Sequence, residues 1–351
     1  MMEFSDKVLR WFDAHGRKHL PWQAGKDAYR VWLSEIMLQQ TQVTTVIPYF
    51  LRFIDRFPDV KALAAAPIDQ VLQHWAGLGY YARAHRLHAC AQQVVNQHAG
   101  KFPEDLNGLM ALPGVGRSTA GAILALAMEH RGVILDGNVK RVLARYAAID
   151  HPTGSSAFER ELWDRAETLT PWVRAGDYAQ AMMDLGATLC KRHTPQCLIC
   201  PVMEACKARA EGAPADYPKA ARSKKLPYVE RSGLVILDAE GRVLLERRPP
   251  LGLWAGLYSF PESEFTQEMD IHNAWQAWLP HNTSMQKMDY FEHTFSHYRL
   301  RMNLWKVVVQ SLTLIADKDC LWYDFRSQEA PGMPAPISRY LQQGAWPLGK
   351  K

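Results

Sequence analysis

The 351-residue chain has no apolar run long enough to cross a bilayer. Its longest nearly apolar stretch, Ser118 to Met128, falls well short of the roughly 20 residues a spanning helix needs, so no membrane role is expected. No apolar segment follows the N-terminal Met-Met-Glu-Phe-Ser-Asp-Lys, so nothing there is expected to send the chain to an oxidising compartment. Disulfides are therefore not the expected use of its 6 cysteines. Internal repeats are absent, and with 48% hydrophobic and 22% charged residues the composition sets disorder aside. Charge of one sign is also scarce. Residues 1 to 210 carry 24 Lys plus Arg against 20 Asp plus Glu, and the remainder 17 against 16. The small basic excess sits in the first part and is by itself weak evidence for a polyanionic partner.

Four of the cysteines are crowded together. Cys190, Cys197, Cys200 and Cys206 are spaced Cys-x6-Cys-x2-Cys-x5-Cys, with Lys191, Arg192, His193, Lys207 and Arg209 among them. Four thiolates so close can hold one metal centre, and the spacing alone leaves zinc and iron-sulfur equally open. The surrounding positive charge suits the loop to an anion. Cys90 and Cys320 lie far away and read as small buried hydrophobes.

Up to about residue 210 apolar residues recur at three and four, as in Val31, Leu33, Ile36 and Met37, which predicts many short helices. Prolines and glycines punctuate them at Leu20-Pro21, Phe57-Pro58, Gly77-Leu78-Gly79 and Leu112-Pro113-Gly114. Residues 211 to 229 shift to Pro, Ala, Lys and Arg and read as a tether. Beyond it, β-rich runs at 229–237 and 242–247 flank the hairpin signal Asp238-Ala239-Glu240-Gly241. Further strands are expected at 253–260, 298–309 and 321–323, with helices near 271–279 and 335–343. The sum is a helical domain followed by an α+β domain of about 120 residues, a usual domain size.

Four segments carry chemistry. Leu112-Pro113-Gly114-Val115-Gly116-Arg117-Ser118-Thr119-Ala120 opens a small-residue helix whose first amides lack internal partners and can face a phosphate. This segment resembles the helix-hairpin-helix motif of DNA repair proteins. Leu135-Asp136-Gly137-Asn138-Val139-Lys140-Arg141-Val142 places a carboxylate directly before a helix, where it serves as an N-cap and can also stabilise a cation. Glu35 lies amid apolar residues ahead of Gln39-Gln40-Thr41-Gln42. If desolvated, its acid form persists near neutral pH and can donate a proton. The aromatic, glycine-flanked segment Trp75 to Ala84 could enter a base stack, with Tyr80 at the surface and Tyr81 in the core.

Together these segments resemble the MutY-type adenine DNA glycosylases of the iron-sulfur helix-hairpin-helix superfamily, over nearly the whole chain. The resemblance implies a multidomain fold. An all-α glycosylase domain at 1–210 would comprise a six-helix barrel at roughly 28–135 and a cluster subdomain built from the N-terminal helix plus roughly 136–210. A linker at 211–229 would lead to a Nudix-like domain at 230–345 that reads 8-oxoguanine. The resemblance further implies one 4Fe-4S cluster on the four cysteines. The substrate would be duplex DNA with adenine opposite 8-oxoguanine or guanine, and the protein a monomer working in the bacterial cytoplasm at the nucleoid. Glu35, Asp136 and Asn138 would be catalytic; Gln40, Thr41, Leu78, Tyr80, Gly114, Gly116, Ser118 and Lys140 would meet DNA. Trp22 and Gln180 would line the adenine pocket, and Phe295, Ser296 and His297 would meet 8-oxoguanine. Ser118 stands where the bifunctional relatives carry a Schiff-base lysine, implying a monofunctional hydrolase. Glu262, Glu264 and Glu268 do not reproduce the Nudix metal box, so pyrophosphate hydrolysis is not expected. The competing readings are an iron-sulfur pyrimidine glycosylase/lyase and a non-catalytic redox-sensing DNA-binding protein.

Overall fold

The structure, a computed structural model, describes residues 3–221, 225–249, 252–275, 279, 283–295, 297–309, 319–324, 326–327 and 330–343. The chain divides into two compact units, residues 1–66 with 85–223 and residues 67–84 with 224–351. Among the described residues no helix is long and apolar enough to cross a membrane.

The helices are α1 (Phe4–His15), α2 (Ala28–Leu38), α3 (Val43–Arg56), α4 (Val60–Ala65), α5 (Ile68–Trp75), α6 (Ala82–His98), α7 (Leu106–Met110), α8 (Arg117–Ala127), α9 (Gly137–Ala147), α10 (Ser156–Leu169), α11 (Ala175–Thr188) and α12 (Lys207–Ala210). Short polar side chains set several of their starts. Asp27, Asp59, Asp105, Asp136 and Ser155 each accept a hydrogen bond from an amide in the first turn that has no helical partner. In the first unit, Val8 and Phe12 of α1 join Val139 and Val142 of α9, Phe158 of α10 and Leu185 of α11 in one apolar core. Each helix contributes residues spaced three or four apart, the stripe that a helix buries.

Helix α8 begins three residues before the expected Ala120, at Arg117, and its small residues have a steric purpose. A Cβ built on Gly121 would lie 2.0 Å from the Val133 carbonyl oxygen, and one on Gly132 would lie 1.9 Å from the Gly121 carbonyl. Helix and returning chain thus touch backbone to backbone, and residues 131–135 are aimed into α9. Gly121→Ala is expected to destabilise the fold by about 3 kcal/mol, because neither backbone can retreat. A urea titration of the variant against the parent checks this.

The first half of the expected tether is not free chain. Tyr217 is 8% exposed, its carbonyl accepts from Arg145 Nε at 3.0 Å, and Thr153 N bonds the Lys219 carbonyl at 3.0 Å. A linker composition was visible in the sequence, but the buried arginine that captures it lies more than 70 residues earlier.

The second unit is built on a mixed sheet of β1 (Tyr228–Leu237), β2 (Val243–Arg247), β3 (Tyr258–Ser259), β4 (Glu262–Ser263), β5 (Met285–Thr294), β6 (Arg299–Val308) and β7 (Cys320–Tyr323), with α13 (Glu268–Trp275) and α14 (Ala335–Gln342). The order is β3-β2-β1-β6-β5, with β4 on β1 and β7 on β2. β1 and β6 run parallel in register from Tyr228↔Arg299 to Leu237↔Val308, and the remaining pairs are antiparallel. The expected hairpin closes at Leu237↔Val243, where the Asp238 carboxylate accepts from Arg242 N at 2.7 Å. Leu234, Ile236, Leu244 and Trp305 pack with Ile271 of α13.

Two expectations fail here. Of 253–260 only Tyr258 and Ser259 are extended, because Gly252, Trp254 and Gly256 take positive φ and coil the segment. β5 was not foreseen: Gln286, Lys287, Asp289 and Glu292 leave no apolar alternation, and the strand exists because β6 supplies its partner.

Candidate active site and cysteine cluster

Glu35 lies on α2, a helix that buries Tyr29, Val31, Trp32, Leu33, Ser34, Ile36 and Met37, residues that leave it almost no solvent face. The exposed-edge alternative is thereby removed. The residue keeps partial surface exposure, yet its carboxyl is enclosed enough that burial, reinforced by the nearby Asp136 charge, pushes it up from 4.5 to about 8. At neutral pH it carries its proton. The tertiary fold thus brings together two carboxyl groups separated by about a hundred residues.

Asp136 is the N-cap of α9 and accepts from Val139 N at 2.8 Å and from Asn138 Nδ2 at 3.2 Å. Burial raises its carboxyl above the ordinary value, opposed by these hydrogen bonds and by the Arg141 charge. Behind it, Arg141 bonds Asn138 Oδ1 at 2.9 Å, the Gly186 carbonyl at 2.8 Å and the Cys190 carbonyl at 2.8 Å. In front, Ser118 Oγ accepts from Leu135 N at 2.9 Å and pins the chain immediately before Asp136. Ser118 is therefore a brace for the segment that carries Asp136.

All four clustered cysteines line one cavity, together with Val142, Leu185 and Leu189. No group of three or more His, Cys, Asp or Glu among the described residues is gathered as a single metal ion requires. Four sulfurs around one space are the donor set that a zinc ion or an iron-sulfur cluster takes. Arg145, 2% exposed, donates to Cys190 Sγ at 3.3 Å and to the Lys191 and Arg192 carbonyls at 2.7 and 2.8 Å. It supplies positive charge where thiolates would gather, and it shapes the basic loop. Sequence reading gave Arg141 and Arg145 no role; their only signal was a four-residue spacing on the helix that Asp136 caps.

Residues 33–168 match the HhH-GPD superfamily base excision DNA repair protein model, and residues 233–343 match the NUDIX domain. An adenine DNA glycosylase of Buchnera aphidicola subsp. Acyrthosiphon pisum (strain APS) is 38% identical over 345 residues, spanning 97% of this chain and 97% of its own. The Homo sapiens adenine DNA glycosylase is 35% identical over 372 residues, covering 88% of this chain and 68% of its own. The chain belongs to the adenine DNA glycosylase family. A thermostable thymine-DNA glycosylase of known structure matches with a TM-score of 0.53 at 26% identity, covering 59% of this chain and 95% of its own. An endonuclease III in a non-covalent DNA complex matches with a TM-score of 0.51 at 21% identity, covering 59% and 94%, a likeness of fold.

The remaining residues implied by membership of the adenine DNA glycosylase family are placed unevenly. Gly114 takes φ +78° in the hairpin turn, and Gly116 starts α8 without a side-chain cap, leaving the first amides of that helix open. Gln40 and Tyr80 are exposed and both hold left-handed φ, 58° and 52°, which costs a bulky residue about 1 kcal/mol and marks tips held in a fixed pose. Arg83 lies over the Tyr80 and Trp75 rings. Thr41 is half-buried, its hydroxyl bonded to the Gln39 carbonyl at 3.3 Å. Leu78 differs from its exposed neighbour: it is 6% exposed, its side chain buried at the base of the tip. Lys140 is held by both Glu159 oxygens at 2.7 Å, so its charge is already paired.

Trp22 is buried edge-on to Phe50 of α3, and Gln180 is buried on α11. A polar chain joins their surroundings: Gln180 to Asp184, Asp184 to Arg17, and the Arg17 carbonyl to Gln23 beside Trp22. In the second unit, Phe295 closes the β5–β6 hairpin, its amide bonded to the Tyr298 carbonyl at 2.9 Å. Its ring packs among Trp254, His293 and Tyr298, so it is a seated side chain, whereas His297 is exposed. Ser296 lies outside the described residues. Glu262 is paired with Arg248 at 2.6 Å and Glu264 with Arg231 at 3.5 Å.

Proposed function

We propose that the chain is a monofunctional adenine DNA glycosylase of base excision repair. It hydrolyses the N-glycosidic bond of adenine opposite 8-oxoguanine or guanine in duplex DNA and leaves an abasic site. The observation that carries this reading is the pair Glu35 and Asp136, one carboxyl raised to about 8 and the other capped and hydrogen-bonded within reach of its field. Adenine inside a duplex is inaccessible, so the nucleotide must leave the stack before these groups can act. Protonated Glu35 gives its proton to adenine N7, which makes the base a neutral leaving group. Positive charge then develops on the sugar, and Asp136, held by Val139 N and Asn138, stabilises it. Water completes the hydrolysis.

Ser118 offers a hydroxyl already engaged with Leu135 N, so no amine at this place can form a Schiff base. Cys190, Cys197, Cys200 and Cys206 would hold one 4Fe-4S cluster, which would supply a cross-link behind the basic loop 191–196, whose charges suit it to meet backbone phosphates. Open amides at the start of α8, with Gln40 and Tyr80 as wedges, grip and part the duplex. The second unit reads 8-oxoguanine through the segment Phe295-Ser296-His297. The protein acts as a monomer in the cytoplasm, at the nucleoid.

Single-turnover base release from duplexes carrying adenine opposite 8-oxoguanine, guanine or thymine, and an oxidised pyrimidine opposite adenine, tests the reading. Release confined to adenine opposite 8-oxoguanine and guanine is expected, with no strand scission before alkaline treatment. Release of the pyrimidine with scission would establish the lyase reading in its place, and duplex binding without release would establish the sensing one.

A further inference from the structure

The lysine one helical turn after Asp136 is turned toward another helix. Lys140 stands four residues along α9, and its amide donates to the Asp136 carbonyl at 2.9 Å. Four residues of helix rise about 6 Å, within reach of an extended lysine, and helical side chains lean toward the N-terminal end of their helix, here the Asp136 end. The ammonium does not take that course. Nζ donates instead to both Glu159 oxygens of α10, at 2.7 Å each. Arg141, not Lys140, is the cation chiefly felt by the Asp136 carboxyl. No other side chain among the described residues donates to Glu159, so its carboxylate is given wholly to this lysine.

We propose that Glu159 is a positioning residue that helps to keep the enzyme monofunctional by restraining Lys140 from the abasic sugar. The proposal rests on the reading that Asp136 faces the sugar carbon from which adenine leaves. Once the base is gone, the sugar opens to an aldehyde at C1′, an electrophile beside Asp136. A lysine freed from Glu159 can attack it. The ammonium first gives a proton to solvent, the nitrogen lone pair then bonds to C1′, and the resulting carbinolamine loses its oxygen as water to leave an imine. That imine is the first step toward strand scission by elimination. Ser118 puts no amine at the start of α8, and Glu159 restrains the amine that α9 carries one turn from Asp136.

The test uses a ready-made duplex with an abasic site opposite 8-oxoguanine, so that base release plays no part, and sodium borohydride, whose hydride reduces any imine to a stable secondary amine. Cross-linking rates are divided by the fraction of duplex bound. The parent is expected to cross-link slowly. Glu159→Gln keeps the size and loses the charge, and is expected to cross-link about fivefold faster, the scale of a partly exposed ion pair with side-chain exposures of 31% and 36%. Peptide mapping should place the new bond on Lys140, and adding Lys140→Ala should remove the gain. Phe158, Leu162 and Ala166 keep α10 anchored in the core, so the variant folds. A merely structural role for Glu159 would lower cross-linking and adenine release together. That result, an unchanged rate in Glu159→Gln, or a gain mapped to another lysine overturns the proposal. Adenine release opposite 8-oxoguanine, measured on the same proteins, separates the premise: release without any cross-link at Lys140 rejects the restraint alone, whereas no release by the parent removes the glycosylase reading beneath it.

Discussion

Glu35→Gln is expected to lower base release by about a thousandfold or more at neutral pH while duplex binding persists, because the amide keeps the shape of the acid but has no proton to give. The parent's rate should fall as pH rises through about 8, where Glu35 ionises, and this alkaline limb should vanish from any residual activity of the variant. The parent's stability moves in the same direction. Since the folded-state value lies above the ordinary 4.5, the folded protein retains a proton that the unfolded chain releases between that value and about 8. The parent therefore loses stability as pH rises across this window, by up to roughly 5 kcal/mol, whereas glutamine takes no part. Urea titrations at pH 5 and pH 8 are expected to show the variant gaining on the parent at the higher pH. A rate that survives the substitution would remove Glu35 from the chemistry.

The second large effect is Asp136→Asn, in which two roles of one side chain come apart. Asparagine caps a helix about as well as aspartate, so the bond to Val139 N and the fold are retained. The negative charge is lost, and with it the stabilisation of the sugar cation, for an expected rate loss of about a hundredfold to a thousandfold. Asp136→Ala should lose the cap as well, at a further cost of about 1 kcal/mol in stability. The substitution also reaches Glu35. Asp136 is one of the two causes that raise the Glu35 carboxyl, so its neutralisation should shift the alkaline limb of the residual activity to lower pH. An unmoved limb would mean that the two groups do not sense each other.

Much of the site was legible because local chemistry repeats in the primary structure. The run of turn residues at Pro113-Gly114 and Gly116, a carboxylate before a helix, and four cysteines within seventeen positions each have few physical uses, and the amino-acid order alone determined those candidates. The same holds for the helical first part, the β-rich second part and the Asp238–Gly241 hairpin. What only the tertiary structure decided was which groups lose water and which meet across long separations. Glu35 became an acid because α2 is buried on nearly every side and Asp136 lies close, neither of which a heptad of neighbours reveals. Ser118 became a brace through a bond to Leu135, and Asp184 became a clamp through Arg17, more than 160 residues away. Leu78 turned inward, the segment 211–221 docked, and β5 formed without any alternation of its own. In each case the deciding energy is desolvation or a hydrogen bond between distant residues, and a linear pattern records neither.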